Sequence, residues 1–370
     1  MNNLVLYRKY RPQTFAEITG QEYVIKIIQN EIKSGHIAHA YLFSGPRGCG
    51  KTTTARVIAK AVNCLNRKEG ESEPCNQCAS CLDIINNRSI DLIEIDAASH
   101  RGIDDIRELR EGIRFAPTKS KYKVLIIDEC HQLSKDAANA LLKTLEEPPA
   151  HAIFILATTE AHKLIPTILS RCQKFDFRKL RIEELVKRLE ELSQKEKVKI
   201  EKAALELIAL NAGGSARDAE SLLGQALVFA QTSAKEIVSV SDVRQLLGIV
   251  ETQSLGNFVD LICAKKTAEA VLMINDIADR GYDLQEYSKG LINYLRNGLI
   301  LAVAGSNSSD LISGLTDEEF AKLKTQTQEL GIQKIQKIIE IFLSAQDKIK
   351  YSPIPQLPLE LAAINACSLV

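Results

Sequence analysis

The chain has 370 residues, enough for two or three compact domains, and its 45% apolar and 25% charged residues are typical of a globular protein. Its 47 basic and 47 acidic residues balance, which argues against a generally basic protein that coats nucleic acid. Aromatic residues are sparse and helix formers abundant, which favours helix-rich domains over a β-sandwich.

The N-terminal segment does not resemble a signal peptide, because Arg8, Lys9 and Arg11 are not followed by an apolar run. The chain also lacks any stretch of 18 or more apolar residues, so we expect no membrane span and no membrane partner. We therefore predict a cytoplasmic protein whose nine cysteines are reduced thiols or metal ligands rather than disulfides.

Strand-like apolar runs alternate with amphipathic helical stretches over residues 1–180. Most of the runs are short, continuous and rich in β-branched residues, as expected of strands buried on both faces. Their alternation with helices predicts a five-stranded parallel sheet with helices on each side, which is an α/β domain. The predicted strands are Tyr41–Ser44, Asp91–Asp96, Lys123–Asp128, Ala152–Thr158 and Gln173–Phe177.

A phosphate-binding loop follows the first strand. The segment GPRGCGKT fits G-x-x-x-x-G-K-[ST] in full, after a strand and before a helix, which is the context the motif needs. Backbone N–H groups can converge on phosphate oxygens, Lys51 can reach the β- and γ-phosphates of ATP, and Thr52 can ligate Mg²⁺. A glycine-rich turn without a ligand is the alternative. The predicted nucleotide-binding residues here are Gly45, Pro46, Arg47, Gly48, Cys49, Gly50, Lys51, Thr52 and Thr53.

A polar insertion over residues 64–81 interrupts the alternation and carries Cys64, Cys75, Cys78 and Cys81. Two overlapping C-x-x-C steps bring three sulfurs to one side of a tight turn, and Cys64 can complete a tetrahedron. Four thiolates in a reducing compartment suit structural Zn²⁺. An iron–sulfur cluster and free thiols are the alternatives.

Two carboxylates stand at the end of the third strand, in the segment VLIIDE. Asp128 can hold the Mg²⁺ shell and Glu129 can orient and activate the attacking water, since ligands bind at this edge of a parallel sheet. Alone, such a pair is as well explained by a solvated turn, but the phosphate-binding loop upstream favours the catalytic interpretation. His131 follows, and we leave it out of the predicted site as a packing residue.

The remainder of the chain is predicted to be helical, as a small lid domain over residues 181–248 and a second helical domain over 249–370. Ser215 is the predicted N-cap of a lid helix after a glycine pair. In the second domain, an apolar stripe has helical spacing and is interpreted as internal core rather than as a partner surface. The stripe consists of Ile335, Ile338, Ile339 and Phe342.

Several segments together resemble the γ/τ family of bacterial clamp-loader subunits, which are AAA+ ATPases of the DNA polymerase III holoenzyme. The resemblance is close over residues 1–250 and weaker over the helical remainder. It implies an AAA+ ATPase domain with a zinc module at 1–180, a helical lid at 181–248 and a helical oligomerisation collar at 249–370. The segments are YRKYRP from Tyr7, Gly20–Gln21, HAYLFS from His39, DECH from Asp128, ALLKTLEEPP from Ala140, Ala157–Thr159 and LSRC from Leu169.

The resemblance also implies roles for further residues, of which Arg171 and Arg217 would otherwise be interpreted as members of surface salt bridges. Thr158 falls at sensor 1, a polar residue that contacts the γ-phosphate or the lytic water. Arg171 corresponds to the arginine finger, which acts in trans in the ATP site of a neighbouring subunit. Arg217 matches sensor 2, which reaches from the lid to the γ-phosphate. The residues matching the segment around adenine and ribose are Tyr7, Arg8, Arg11 and Pro12.

The function implied by the resemblance is ATP-driven opening of the β sliding clamp and its loading onto primed DNA. The implied assembly is a hetero-pentamer of δ, δ′ and further γ/τ copies. A non-hydrolysing structural subunit such as δ′ is one alternative, against which the intact Lys51 and Glu129 motifs argue. Another AAA+ remodeller, such as a branch-migration motor, is a second, against which the zinc insertion and collar argue. Because the chain ends soon after its last predicted helix, we expect a fragment of a longer protein such as τ.

Overall fold

The computed structural model describes residues 5–99, 102–232, 237–247, 252–304 and 317–370. The chain divides into two compact units, Met1–Ser239 and Val240–Val370. The finer division of the first unit into an ATPase domain and a lid, and the boundaries at residues 180 and 248, stay predictions.

A five-stranded parallel sheet forms the centre of the first unit, in the order β2-β3-β4-β1-β5. β1 and β4 are buried at every residue because helices cover both faces of the sheet. The predicted parallel sheet and all five strands are therefore confirmed, to within one residue at each end. The strands are β1 Ala40–Ser44, β2 Leu92–Asp96, β3 Lys123–Asp128, β4 Ala152–Thr158 and β5 Gln173–Asp176.

Seven α-helices accompany the sheet in the described residues of this part of the chain, together with the 3₁₀-helices Cys130–Gln132 and Ala161–Lys163. One apolar layer joins the sheet to α2 and α3 through Ile28, Phe43 and Ile58, and another joins its opposite face to α5 and α6 through Phe154 and Leu141. The helices are α1 Leu6–Lys9, α2 Glu22–Ser34, α3 Lys51–Asn63, α4 Ala79–Ile85, α5 Ile103–Arg114, α6 Lys135–Glu146 and α7 Pro166–Leu169.

Three helices and two very short strands follow in the first unit. The prediction of helix throughout residues 181–248 is wrong at β6 and β7, which pair in parallel and are rich in β-branched residues that favour extended backbone. Ser215 caps α10 as predicted, because its Oγ accepts the Asp218 N–H at 3.2 Å. The elements are α8 Ile182–Lys195, β6 Lys199–Ile200, α9 Lys202–Asn211, α10 Ala216–Thr232 and β7 Ile237–Val238.

The second unit is helical in its described residues. Its core contains Phe258, which makes edge contacts with Tyr287 and Phe342 at centroid distances of 5.9 and 6.0 Å. Ile335, Ile338 and Phe342 are buried and Ile339 packs partly buried against them, which confirms the predicted core stripe. The helices are α11 Val240–Leu246, α12 Thr252–Cys263, α13 Thr267–Asp279, α14 Leu284–Ala304, α15 Asp317–Ile349, broken at Gly331, and α16 Leu357–Leu369.

None of the helices in the described parts of the chain combines the length and the apolar character that crossing a bilayer requires.

Candidate functional site

A cavity of about 920 Å³ opens where the carboxyl ends of β1, β2 and β3 meet, within the size range of small-molecule sites. The N-terminal segment, the phosphate-binding loop, the end of β3 and α10 all contribute to its walls. Four residues predicted for the nucleotide site do not line it, namely Gly45, Pro46, Thr158 and Arg171, and their positions are described below. The predicted residues that line it are Tyr7, Arg8, Arg11, Pro12, Arg47, Gly48, Cys49, Gly50, Lys51, Thr52, Thr53, Asp128, Glu129 and Arg217.

The side chain of Lys51 is fixed by carbonyl groups of the phosphate-binding loop. The Nζ of Lys51, a residue only 6% exposed, donates to the carbonyl oxygens of Gly45 at 2.7 Å and Pro46 at 2.8 Å. Gly50 precedes α3 with a φ of 106°, a backbone conformation that favours glycine and turns the chain into the helix. The N-terminus of α3, with its free N–H groups, therefore faces the same cavity as the lysine.

The loop also touches α10 directly. Gly48 has a φ of +73°, and a Cβ built on it would lie 2.0 Å from the Ser215 Oγ, so only glycine allows this approach. The Gly48 carbonyl accepts the Ala216 N–H at 3.0 Å. These contacts join the loop to the start of α10, which carries Arg217.

The two predicted magnesium ligands lie in contact. Thr52 donates its hydroxyl to Asp128 Oδ2 at 2.7 Å, and the Glu129 N–H donates to the other carboxylate oxygen at 3.0 Å. Hydroxyl and carboxylate oxygens are the ligands that Mg²⁺ prefers. The chemistry of these two donors fits a magnesium ion shared with phosphate oxygens.

The side chain of Glu129 is fixed by the neighbouring strand end. Its Oε2 accepts both the N–H of Thr159 at 3.1 Å and the hydroxyl of Thr159 at 2.9 Å. Its backbone has a φ of 47° and a ψ of 43°, a left-handed conformation that is unusual outside glycine and recurs at functional sites. The carboxylate therefore lines the cavity in a defined orientation, beside Asp128.

His131, which the sequence analysis left out of the site, connects several of its members. Its Nδ1 lies 2.9 Å from the Thr158 hydroxyl and 3.4 Å from the Glu129 carboxylate, and its Nε2 lies 3.5 Å from Glu160 Oε1. Thr158 itself is fully buried and contributes its carbonyl to the loop, accepting the Gly45 N–H at 3.2 Å. The position of His131 two residues beyond Glu129 is the one signal available in the sequence.

Positive charge is concentrated near the N-terminal wall. The guanidinium carbon of Arg217 lies 4.7 Å from the Tyr7 ring centroid, and Arg11 donates its Nε–H to the Thr53 hydroxyl at 3.3 Å. Burial lowers the pKa of Arg11, and the nearby charge of Arg56 lowers it further. An anion in the cavity would relieve this repulsion, as expected for a site that binds a triphosphate.

A buried ion pair was missed by the sequence analysis. Arg188 of α8 contacts Glu220 of α10 at 2.9 Å and donates to the Tyr10 carbonyl at 2.6 Å, and both side chains line the cavity. Burial raises the pKa of Glu220, against the opposing effect of the Arg188 charge. The pair ties α8 and α10 to the N-terminal segment. Spacing along the chain gave no signal for it, since the three residues are far apart in sequence.

Arg171 is not among the described residues that line the cavity. Its guanidinium contacts Glu146 Oε1 at 2.7 Å and donates to the Thr167 carbonyl at 2.8 Å. The structure therefore does not bring Arg171 together with the loop of its own chain.

The four predicted metal ligands converge. All four sulfurs of the cluster lie within 4.8 Å of one another, and the thiols are not joined by disulfides. Burial acts to raise the pKa of Cys75, but N–H donors from Gln77 and Cys78 outweigh it and lower the pKa to about 6. Four convergent sulfurs with N–H donors aimed at them suit a tetrahedral thiolate-bound metal ion.

Comparison with known families finds three matches that together run along most of the chain. A family model described as DNA polymerase III, delta subunit, matches residues 20–181. One for the DNA polymerase III clamp loader subunit, ATPase lid domain, matches residues 184–232. One for DNA polymerase III subunits gamma and tau domain III matches residues 238–370.

Relatives of similar sequence come from several bacteria. The chain is 41% identical to the DNA polymerase III subunit tau of Bacillus subtilis and 38% identical to that of Escherichia coli, over 99% of the chain in each case. It spans 64% and 55% of the length of those two relatives. With the DNA polymerase III subunit gamma of Buchnera aphidicola it shares 36% identity over the full length of both.

Proposed function

Because the chain belongs to the gamma/tau family of DNA polymerase III subunits, we propose that it is an ATP-hydrolysing AAA+ motor subunit of a clamp loader. In that role it opens the β sliding clamp and loads it onto primed DNA during replication. The observation that carries the proposal is the contact of Thr52 with Asp128 beside Lys51. It brings the phosphate-binding loop, the proposed magnesium ligands and Glu129 together at one edge of the sheet.

The proposed roles follow the chemistry of phosphoryl transfer. Lys51 and the loop amides bind the phosphates, and Glu129 orients and activates the attacking water. Thr52 and Asp128 hold Mg²⁺, which supplies neutralisation of phosphate charge when bound. Arg217 lines the cavity and contacts the terminal phosphate, which couples hydrolysis to α10. Thr158 is buried behind the cavity wall and couples hydrolysis to β4 through its contact with His131, which in turn contacts Glu129.

Arg171 is proposed to act in the ATP site of a neighbouring subunit. Its exclusion from the cavity of its own chain supports this role, because an additional cation on the departing phosphate would then be supplied only on assembly. Hydrolysis would consequently depend on the formation of the ring.

The cysteine cluster is proposed to hold structural Zn²⁺. Four thiolates complete the tetrahedral coordination of a zinc ion, so the site has no open coordination position for catalysis. The proposed partners are δ and δ′ subunits and further gamma/tau copies in a hetero-pentamer, together with the β clamp and primed DNA. The proposed location is the cytoplasm, where this replication machinery works.

The test is ATP binding and turnover by the purified chain carrying Lys51→Ala, with the exposed Lys121→Ala as a matched control. We expect the first variant to lose nucleotide binding and turnover by about a hundredfold and the control to match the parent. Glu129→Gln should keep binding and lose turnover by a similar factor, about a hundredfold. An unchanged rate in Lys51→Ala would exclude this loop as the motor.

Reconstitution separates the alternatives. A clamp-loader motor shows turnover that rises with clamp, partner subunits and primed DNA together. A structural subunit shows no turnover in any of these mixtures, and a branch-migration motor shows turnover that does not respond to the clamp.

A further inference from the structure

One helix connects the cysteine cluster to the phosphate-binding loop. α3 begins at Lys51 and ends at Asn63, and the residue that follows it is the first cysteine ligand, Cys64. Ten of its thirteen residues are buried, so this helix of about 20 Å is embedded in the core along most of its length. The metal module, residues 64–81, is therefore anchored to the element whose other end faces the nucleotide cavity.

The same module also contacts the N-terminal segment. The carboxylate of Glu73 accepts the N–H of Phe15 at 2.8 Å and that of Ala16 at 3.2 Å. A third donor, the Gln29 side-chain amide, lies 3.0 Å from Glu73 Oε1. Glu73 is half-buried and Phe15 is 1% exposed, so the carboxylate anchors a segment whose phenylalanine side chain belongs to the core.

A buried lysine makes a second connection. Lys60 of α3, 2% exposed, donates from Nζ to the Gln13 carbonyl at 2.7 Å and to the Gln13 side-chain oxygen at 2.6 Å. The same ammonium donates to Asn76 Oδ1 at 2.8 Å. Asn76 lies between two of the cysteines and has a φ of 55°. The turn that carries the sulfurs is thus linked through Lys60 to the segment held by Glu73.

The segment fixed in this way lies between two parts of the cavity wall. Arg11 and Pro12 line the cavity just before it, and Ile18 and Thr19 line the cavity just after it. Pro12 and Ile18 are apolar, whereas the phosphate-binding loop offers amides and Lys51. An adenine base is the flat, weakly polar part of ATP, so its chemistry matches this wall and the triphosphate matches the loop.

We propose that Glu73 is a positioning residue for nucleotide binding, through which the metal module holds the base-side wall of the cavity in place. It acts without touching the nucleotide. Removing its carboxylate leaves the Phe15 and Ala16 N–H groups without their acceptor, and the wall must then be ordered when the nucleotide binds. The inference rests on the proposed function, because it takes the ligand of this cavity to be ATP.

The test compares ATP with inorganic tripolyphosphate, each with Mg²⁺, by calorimetric titration of the full chain. In Glu73→Gln one oxygen becomes an NH₂ group that faces N–H donors, while the shape of the side chain is kept. We expect its Kd for ATP to rise about tenfold while its Kd for tripolyphosphate stays within about twofold of the parent. The exposed Glu69→Gln in the same module is the matched control and should leave both constants unchanged.

Two further readouts separate positioning from general damage. Bound zinc should remain at the parent's stoichiometry in Glu73→Gln, and amide exchange should accelerate at Phe15 and Ala16 while α3 keeps its protection. Asn76→Gly keeps a residue suited to positive φ and removes the acceptor of Lys60, so it should weaken ATP binding about threefold in the same selective way.

An unchanged ATP affinity in Glu73→Gln, or equal weakening of ATP and tripolyphosphate, would overturn the inference and leave the proposed function standing. A parent chain that binds neither ligand would instead overturn the proposed function, and the inference with it. If Glu73→Gln does not fold, a parent-like ATP affinity in Asn76→Gly would also count against the inference.

Discussion

The Nδ1 atom of His131 lies 2.9 Å from the Oγ1 atom of Thr158, so a residue two positions beyond Glu129 contacts the proposed γ-phosphate sensor. The same imidazole is 3.4 Å from the Glu129 carboxylate. It therefore stands between the group proposed to activate water and the group proposed to sense the phosphate. Because the ring is almost fully buried, it can fix the relative positions of both without contacting the nucleotide.

We predict that His131→Ala slows ATP turnover about tenfold while the Kd for ATP stays within about twofold of the parent. The reason is that the lost contacts orient Glu129 and Thr158 rather than bind the phosphates. Single-turnover hydrolysis and equilibrium titration measure the two quantities. His131→Asn, whose amide can still reach the hydroxyl, should recover part of the rate. His162→Ala, at a ring that is 76% exposed, is the control, and a loss of affinity equal to the loss of rate would contradict a positioning role.

Much of the fold could be predicted because its signals are local. The strands β1, β3 and β4 are short runs of mostly apolar residues, and the loop from Gly45 to Thr52 is a complete motif whose glycines and lysine have separate physical tasks. The end of β3 placed Asp128 beside that loop because ligands gather at the carboxyl edge of a parallel sheet. The cysteine cluster could also be predicted, because two overlapping C-x-x-C steps place their three sulfurs on one side of a turn.

The contacts that were not predicted join residues that are distant along the chain. Glu73 and Phe15 are 58 positions apart, and Arg188 and Tyr10 are 178 apart, so periodicity and motif spacing carry no signal for either pair. A lone histidine in a sequence favours a packing role, and the contacts of His131 with Thr158 and Glu129 become visible only in the folded chain. The two-residue strands β6 and β7 are too short for a pattern of alternation to reveal them.

We predict that Arg171→Ala leaves ATP binding nearly intact and slows hydrolysis in the assembled ring about a hundredfold. The guanidinium is occupied by Glu146 and the Thr167 carbonyl and does not line the cavity of its own chain. Turnover should therefore be measured in rings that mix mutant and parent subunits. The exposed Lys187→Ala should have no effect. Damage confined to the mutated subunit's own site would rule out action in trans.

A different prediction concerns the stability of the fold and the carboxylate of Asp91, the residue just before β2. Both oxygens of the Asp91 carboxylate accept backbone N–H groups, from Thr118 at 2.8 Å and from Lys119 and Ser120 at 2.9 Å. Burial acts to raise the pKa of Asp91, but these donors outweigh it and hold the pKa below its usual value. The carboxylate therefore stabilises the fold at pH values above the unfolded pKa of about 3.9, and this contribution is lost as the pH falls through the folded pKa.

Asp91→Asn should accordingly lower the melting temperature by about 5 °C at neutral pH, for a loss of about 2 kcal/mol in the free energy of unfolding. The difference between parent and variant should hold from pH 7 to about pH 5 and shrink at about pH 3, because protonation removes the same charge from the parent. Thermal melts at these pH values measure it. The exposed Asp104→Asn is the control, and a difference that grows on acidification would contradict the assigned sign.

The cysteine cluster gives the last prediction, which distinguishes its proposed occupant from the alternatives. Cys81 is fully buried, and substitution by serine removes one of four convergent sulfurs. Cys81→Ser should lower bound zinc well below one ion per chain and reduce the melting temperature, because the energy of metal binding contributes to folding. The control is Cys172→Ser, a partly buried thiol outside the cluster, which should retain the metal.

Metal analysis and absorption spectra of the parent chain identify the metal that the cysteine cluster holds. Bound iron together with visible absorption would show that the cluster holds an iron–sulfur centre instead of zinc. A parent chain purified without either metal under reducing conditions would leave four free thiols as the correct interpretation.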